Sequence, residues 1–259
     1  MPKEGYYVTI AEWLDIADTP EEDEWRQYQV DYPEDCRGNF YIKIYEIARE
    51  DPGRLIWIER EGINRDPGWG TFRKLIEMKE PGTYDPDVPE DDHILWMSDT
   101  RAEVIEHAPI IEKLHWCRDI PHMRVLINGL GLGMIARAAS LLGAEHVDVV
   151  ELNPYVADLV GSHLPANVTV HVGDAFDMQW PRGTRWDIAW HDIWPEISDE
   201  NLTQMDLLTK KYAHRVGWQD CWQKQGCLKM KRFFKKIEKD TTGKYAAEVL
   251  DMLGGKFQL

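Results

Sequence analysis

Residues 125–134 read VLINGLGLGM, an apolar run that passes directly into glycines at 129, 131 and 133. Continuous apolar residues without polar alternation fit a strand buried on both faces. Glycines spaced by leucines let the backbone turn sharply and approach a ligand with no Cβ in the way. The helix expected next offers unpaired N–H groups to a negative or polar group. Dinucleotide sites favour Gly-x-Gly-x-x-Gly, and here the third glycine falls one residue early. A tight packing turn is the other reading of such a loop.

Outward from the loop, the pattern alternates. LGMIARAASLLG (132–143) predicts a helix stopped by Gly143, and HVDVVEL (146–152) a second strand. Asn153-Pro154 opens another helix with Pro at its first position. VTVHVGD (168–174) and RWDIAWHD (185–192) predict a third and a fourth strand. Short apolar strands alternating with helices indicate an α/β fold with a parallel, doubly wound sheet. In such a sheet ligands bind where strands end and the strand order reverses.

The strand ends carry acids. Glu151 ends the second strand, where a carboxylate accepts hydrogen bonds from both hydroxyls of a ribose. Asp174-Ala175 ends the third, placed for an adenine amino group, and Asp192 ends the fourth. Each acid alone is equally a helix cap. Together, after the glycine loop, they predict an adenosine-containing ligand lying across the strand ends.

VLINGLGLGMIA, HVDVVELNPYV, VTVHVGDAF and RWDIAWHDIWP, in this order over residues 124–195, resemble the successive motifs of class I S-adenosylmethionine-dependent methyltransferases. The resemblance implies a Rossmann-like, mostly parallel sheet, S-adenosylmethionine as cofactor and methyl transfer as the activity. It places Gly129, Gly131 and Gly133 against the methionine part, Glu151 on the ribose, and Asp174 with Ala175 beside the adenine. Asn128 and Leu152, flanking the loop and Glu151, join the cofactor set. G-x-G-M with D-I-W-P is similar to the guanidinoacetate and arginine N-methyltransferase branch. ILWMSDTRAEVIEHAPI (94–110), after a strand-rich segment, resembles the spermidine-synthase group, which would put Asp99 at the substrate. The aspartates with which that group holds a polyamine have no matching set. Aminopropyl transfer from the decarboxylated cofactor and a non-catalytic cofactor-binding module are therefore the rival readings.

If the acceptor is an amine or guanidine, a carboxylate or His must orient it and take its proton. Asp192 and His191 are the catalytic candidates. Strand alternation puts them on opposite faces, so one of the two points inward. Trp194 is expected to wall the acceptor pocket or stack a planar cation.

The flanks are less regular. FYIKIYEIA (40–48), RLIWIER (54–60) and TFRKLIEM (71–78), bounded by Pro/Gly turn signals, predict a strand meander. PGTYDPDVPEDD (81–92) predicts a surface loop and HILWMSD (93–99) a last strand. Ser98, Asp99 or Thr100 then caps a helix running to about Trp116. Trp57, Trp69, Trp96 and Trp116 read as core. HRVGWQDCW (214–222) is a candidate fifth strand, and QKQGCLKMKRFFKKIEKD (223–240) reads as a basic helix. These readings divide the chain into a small β-rich domain (1–120), a cofactor-binding core (121–222) and a basic helical extension (223–259).

Composition sets limits on all of this. Residues 1–120 carry 14 Lys+Arg against 29 Asp+Glu, residues 121–200 carry 4 against 11, and residues 201–259 carry 12 against 6. An acidic body repels a phosphate backbone, which favours a small polar or cationic acceptor over nucleic acid. The basic tail keeps nucleic acid as a secondary option, and a homo-oligomer stays open. Four cysteines without C-x-x-C or zinc-ligand spacing predict reduced thiols and no metal site. With no apolar leader in the first twenty residues and no membrane-length apolar run, a cytoplasmic location is expected.

Overall fold

The computed structural model describes residues 24–61, 66–79 and 93–239. A 3-10 turn at Glu24–Tyr28 leads into β1 (Asp35–Arg37), β2 (Phe40–Ile47), α1 (Pro52–Glu61), β3 (Gly70–Met78) and β4 (His93–Ser98). The four strands pair in sequence order as an antiparallel sheet. The segment expected as a loop at 81–92 lies outside the described residues.

One expected strand is a helix. RLIWIER falls inside α1, because the preceding DPG starts a helix instead of turning a hairpin. Asp51 Oδ1 accepts the Arg54 N–H at 2.9 Å, and Pro52 occupies the first helical position, where its missing N–H costs nothing. Arg54 then reaches inward. Its Nε and Nη2 each sit 2.7 Å from an oxygen of Asp66, with both side chains fully covered. Removing either partner would strand a buried charge, at a cost of about 3–5 kcal/mol.

The expected single helix up to Trp116 is two. These are α2 (Arg101–Glu106) and α3 (Ala108–Cys117), broken at His107 (φ −94°, ψ 7°). Pro109 supplies no N–H and crowds the preceding turn, so the helix cannot run through. Trp116 ends this segment 87% exposed and is not core.

Strand–helix alternation then follows: β5 (Arg124–Asn128), α4 (Met134–Leu141), β6 (His146–Glu151), α5 (Pro154–Gly161), β7 (Val168–Val172), β8 (Trp186–His191), α6 (Asn201–Tyr212), β9 (Val216–Cys221) and α7 (Lys224–Lys239). The sheet order is β7-β6-β5-β8-β9 and every pairing is parallel. After β5 the chain builds outward to one side, and after β7 it returns to the other. The order therefore reverses between β5 and β8.

The VLIN run serves two cores at once. Val125 and Ile127 face a cluster that also holds Phe40, Ile42 and Leu75 of the antiparallel sheet. Leu126 faces the other cluster, with Ala189 and with Met205, Leu208 and Tyr212 of α6. That shared first cluster brings β2, β3 and β4 over one face of the parallel sheet. Among the described residues no helix is long and apolar enough to cross a membrane.

Candidate functional site

A cavity of about 440 Å3 lies at the carboxyl ends of β5, β6, β7 and β8. This is within the roughly 300–1,000 Å3 of small-ligand sites. One half is built by the parallel sheet and the other by β4, α2 and the break at His107.

The glycine loop forms the floor. Gly129 follows β5 at φ +99°, and a Cβ there would lie 1.8 Å from the backbone oxygen of Asp192. The two strand ends at the reversal are thus in backbone contact, and the Asp192 N–H donates to the Asn128 carbonyl at 2.8 Å. Gly131, at φ +51°, is overlaid by Met97 of β4, whose sulfur would be 2.0 Å from an added Cβ. The Leu132 N–H points at that same sulfur, 2.9 Å away. The antiparallel sheet therefore rests directly on the loop.

Glu151, ending β6, is held from behind. Its Oε2 accepts the Leu130 N–H (2.9 Å) and its Oε1 accepts the Asn153 N–H (2.7 Å). The residue lines the cavity. Burial raises its carboxyl above the ordinary range, opposed by these backbone N–H groups. Leu152 beside it is 70% exposed at the rim. Asp174 accepts the Phe176 N–H at 2.7 Å, and Ala175 is buried behind it. Gly173, Asp174, Ala175 and Phe176 line one end.

Asp192 stands at the opposite end, its side chain 24% exposed. Its Oδ2 lies 2.8 Å from Nε2 of His107, whose Nδ1 lies 2.8 Å from the carbonyl oxygen of Glu103. Burial alone would depress the His107 imidazole. The hydrogen bond and charge of Asp192, with the charge of Glu103, instead hold its pKa up at about 9. Trp194 is buried at the wall, its indole N–H donating to Gln204 at 2.8 Å. Phe40, Trp96, Trp190 and Trp222 complete an aromatic enclosure. Trp96, expected in the core, is 44% exposed on this cavity.

Of the residues expected at a site, Gly129, Gly131, Glu151, Leu152, Asp174, Ala175, Asp192 and Trp194 line this one cavity. The other four lie outside it. Gly133 caps α4 and packs on Leu164, Val160 and Tyr32. Asn128 and His191 are fully buried and bonded to each other, Nδ2 to Nδ1 at 2.7 Å, and His191 Nε2 meets Gln219 Oε1 at 3.0 Å. Those two side chains leave their strands toward the α6 face. Asp99 is not the cap of α2, which is Thr100, and does not line the cavity. Fully buried, it accepts the N–H groups of Val30 (3.1 Å) and Arg73 (2.6 Å) and ties the chain ahead of β1 to β3.

The sequence reading missed His107, Glu103, Met97 and Trp222. No local pattern marks them, because they reach the cavity through helix and sheet packing. The one available signal was Pro109, which forces the helix break that aims His107.

The sequence matches no protein-family model and no curated protein. Among solved structures it is similar to a protein of Pyrococcus horikoshii described as a candidate RNA methyltransferase (24% identity, TM-score 0.30, covering 35% of this chain and 44% of that one). It is also similar to an S-adenosylmethionine-dependent methyltransferase from Mesorhizobium loti (18%, TM-score 0.32, covering 42% and 48%). A third is CalS10, an amino pentose methyltransferase from Micromonospora echinaspora (20%, TM-score 0.32, covering 43% and 45%). The chain spans just under half the length of these three structures. Likeness of this order does not carry activity or substrate from those proteins to this one.

Proposed function

We propose that this chain binds S-adenosylmethionine across the ends of β5, β6 and β7 and transfers its methyl group to a small polar or cationic acceptor held at Asp192. The observation that carries the reading is the single cavity lined, in strand order, by the glycine loop, Glu151, Asp174-Ala175 and Asp192. The donor set fits the cofactor: a carboxylate for a ribose diol, an acid beside a short apolar floor for an adenine, and bare backbone for the amino-acid end. In this reading residues 121–222 are the cofactor-binding core and residues 1–120 supply much of the acceptor wall. The described part of the basic extension, residues 223–239, lies outside the cavity lining.

When bound, the cofactor supplies a methyl group that already carries its leaving group. The protein then aligns the acceptor and excludes water. Met97, Trp190 and Trp194 provide that dry wall, and Asp192 takes an N–H of the acceptor.

Calorimetric titration with S-adenosylmethionine, S-adenosylhomocysteine, the decarboxylated cofactor and NAD tests this. The expected result is micromolar binding of the first two only. Glu151→Ala should weaken it by about 1–3 kcal/mol, the usual cost of losing charge-assisted hydrogen bonds. Preference for the decarboxylated compound would move the reading to aminopropyl transfer, and binding of NAD alone would end it.

A further inference from the structure

His107 closes the acceptor side of the cavity, and the function proposed above assigns it nothing. Its ring is buried and both nitrogens are engaged. Nδ1 faces the Glu103 carbonyl oxygen, which can only accept, so Nδ1 must carry a proton. Nε2 faces Oδ2 of Asp192, and one further proton lies on that line. With Nδ1 already protonated, the ring is an imidazolium whenever this proton rests on nitrogen. The charged groups facing the ring, Glu103 from α2 and Asp192 from the end of β8, are both acidic. The Trp190 ring fills the next side, its centroid 6.3 Å away. Such surroundings favour the cation.

Asp192 is thereby divided into two unlike oxygens. Oδ2 is occupied by His107, while Oδ1 has no hydrogen-bond partner among the described residues. The side chain opens on the cavity.

We propose that His107 is a positioning residue of this site, clamping Oδ2 of Asp192 against the α2–α3 break so that Oδ1 is the one oxygen presented to an acceptor N–H. The clamp fixes the plane of the carboxylate before anything binds, which removes an ordering cost from the encounter. The acceptor's part rests on the methyl-transfer reading, whereas the clamp is a property of this chain alone.

The test is spectroscopic and uses the full chain. Long-range 1H–15N spectra of the histidine rings, taken between pH 5 and 10, should show His107 with two protonated nitrogens at pH 7.5. In Asp192→Asn it should show one. The Asp192 side-chain carbon resonance, followed in parallel at pH 7.5, should shift in His107→Leu, because the donor to Oδ2 has gone. His107→Gln, which can still donate from Nε2, should recover part of that change. A merely structural role for His107 would leave the Asp192 resonance in place. A neutral His107 at pH 7.5 in the wild type, or an unmoved Asp192 resonance, overturns the clamp. Should His107→Leu fail to fold, the wild-type and Asp192→Asn spectra decide by themselves. S-adenosylhomocysteine titrated into the wild type separates the two claims. Its failure to bind removes the cofactor reading and leaves the clamp to be judged by the spectra.

Discussion

His107 and His191 are both fully buried, and both stand beside Asp192, one through space and the other as its chain neighbour. Burial pushes each imidazole toward the neutral form, yet they end in opposite states. His107 is held at a pKa of about 9 because its surroundings are a carboxylate, a second acid and a carbonyl oxygen. His191 is driven down to about 4, because burial outweighs its Gln219 hydrogen bond and the charge of Asp220, and Lys224 adds to the depression. Desolvation is common to the two, and the charge of the partner decides the outcome. The comparison also separates two faces of one strand end. On the α6 side a neutral ring fills a core, and on the cavity side a charged ring serves a site.

The most severe way to break this contrast is to move the backbone that both faces share. Gly129→Ala drives a Cβ into the Asp192 carbonyl at a residue of φ +99°, combining overpacking with a disallowed turn. The expected loss is about 3–5 kcal/mol in urea unfolding. The displaced Asp192 should lower the His107 titration while leaving that of His191 in place.

The two titrations predict opposite limbs in stability against pH. His191 binds its proton less readily folded than unfolded, so its contribution is complete above about pH 6.5 and is lost as pH falls toward 4. His191→Gln should flatten that acid limb by up to about 1.4 kcal/mol per pH unit. His107 binds its proton more readily when folded. Its contribution is complete below about pH 6.5 and is lost as pH rises through 9. Asp192→Asn should flatten the alkaline limb, by less than the acid-side change because Asp192 is partly open to solvent. Unfolding at half-unit pH steps in the three proteins checks both signs, and a wild-type alkaline limb unmoved by Asp192→Asn would show that the ion pair adds nothing.

The smallest change sharpens the cause. Trp194→Phe removes the bond to Gln204 from the loop that follows Asp192 and should cost about 1 kcal/mol. If His107 alone holds Asp192, its titration stays at about 9 in that variant, whereas a clear fall would give the loop a share.

How far the sequence reached follows from the same geometry. The parallel sheet was legible because its first four strands, β5 to β8, are short, mainly apolar runs and each is followed at once by a glycine or ends at an acid or is followed by one. Glu151, Asp174 and Asp192 come into one cavity for that reason. His191 was a natural choice by adjacency, but a strand turns consecutive side chains to opposite faces and only Asp192 took the cavity. His107, 85 residues from its partner, has no local signature. In RLIWIER, β-branched and aromatic content suggested a strand. Asp51 and Pro52 started a helix there, and the buried Arg54–Asp66 pair, closed across 12 positions, outweighed that propensity. The partners of Asp99, Val30 and Arg73, lie on segments whose approach no spacing reveals.

The helix break at His107 also bears on synthesis. Its counter-charge emerges 85 residues later, about 4–17 s at ordinary elongation rates of roughly 5–20 residues per second. Over that interval the ring has Glu103 but not Asp192, and burying it as a cation there would be costly. Until β8 has been made, the ring therefore lacks the partner that makes an imidazolium favourable in a buried position.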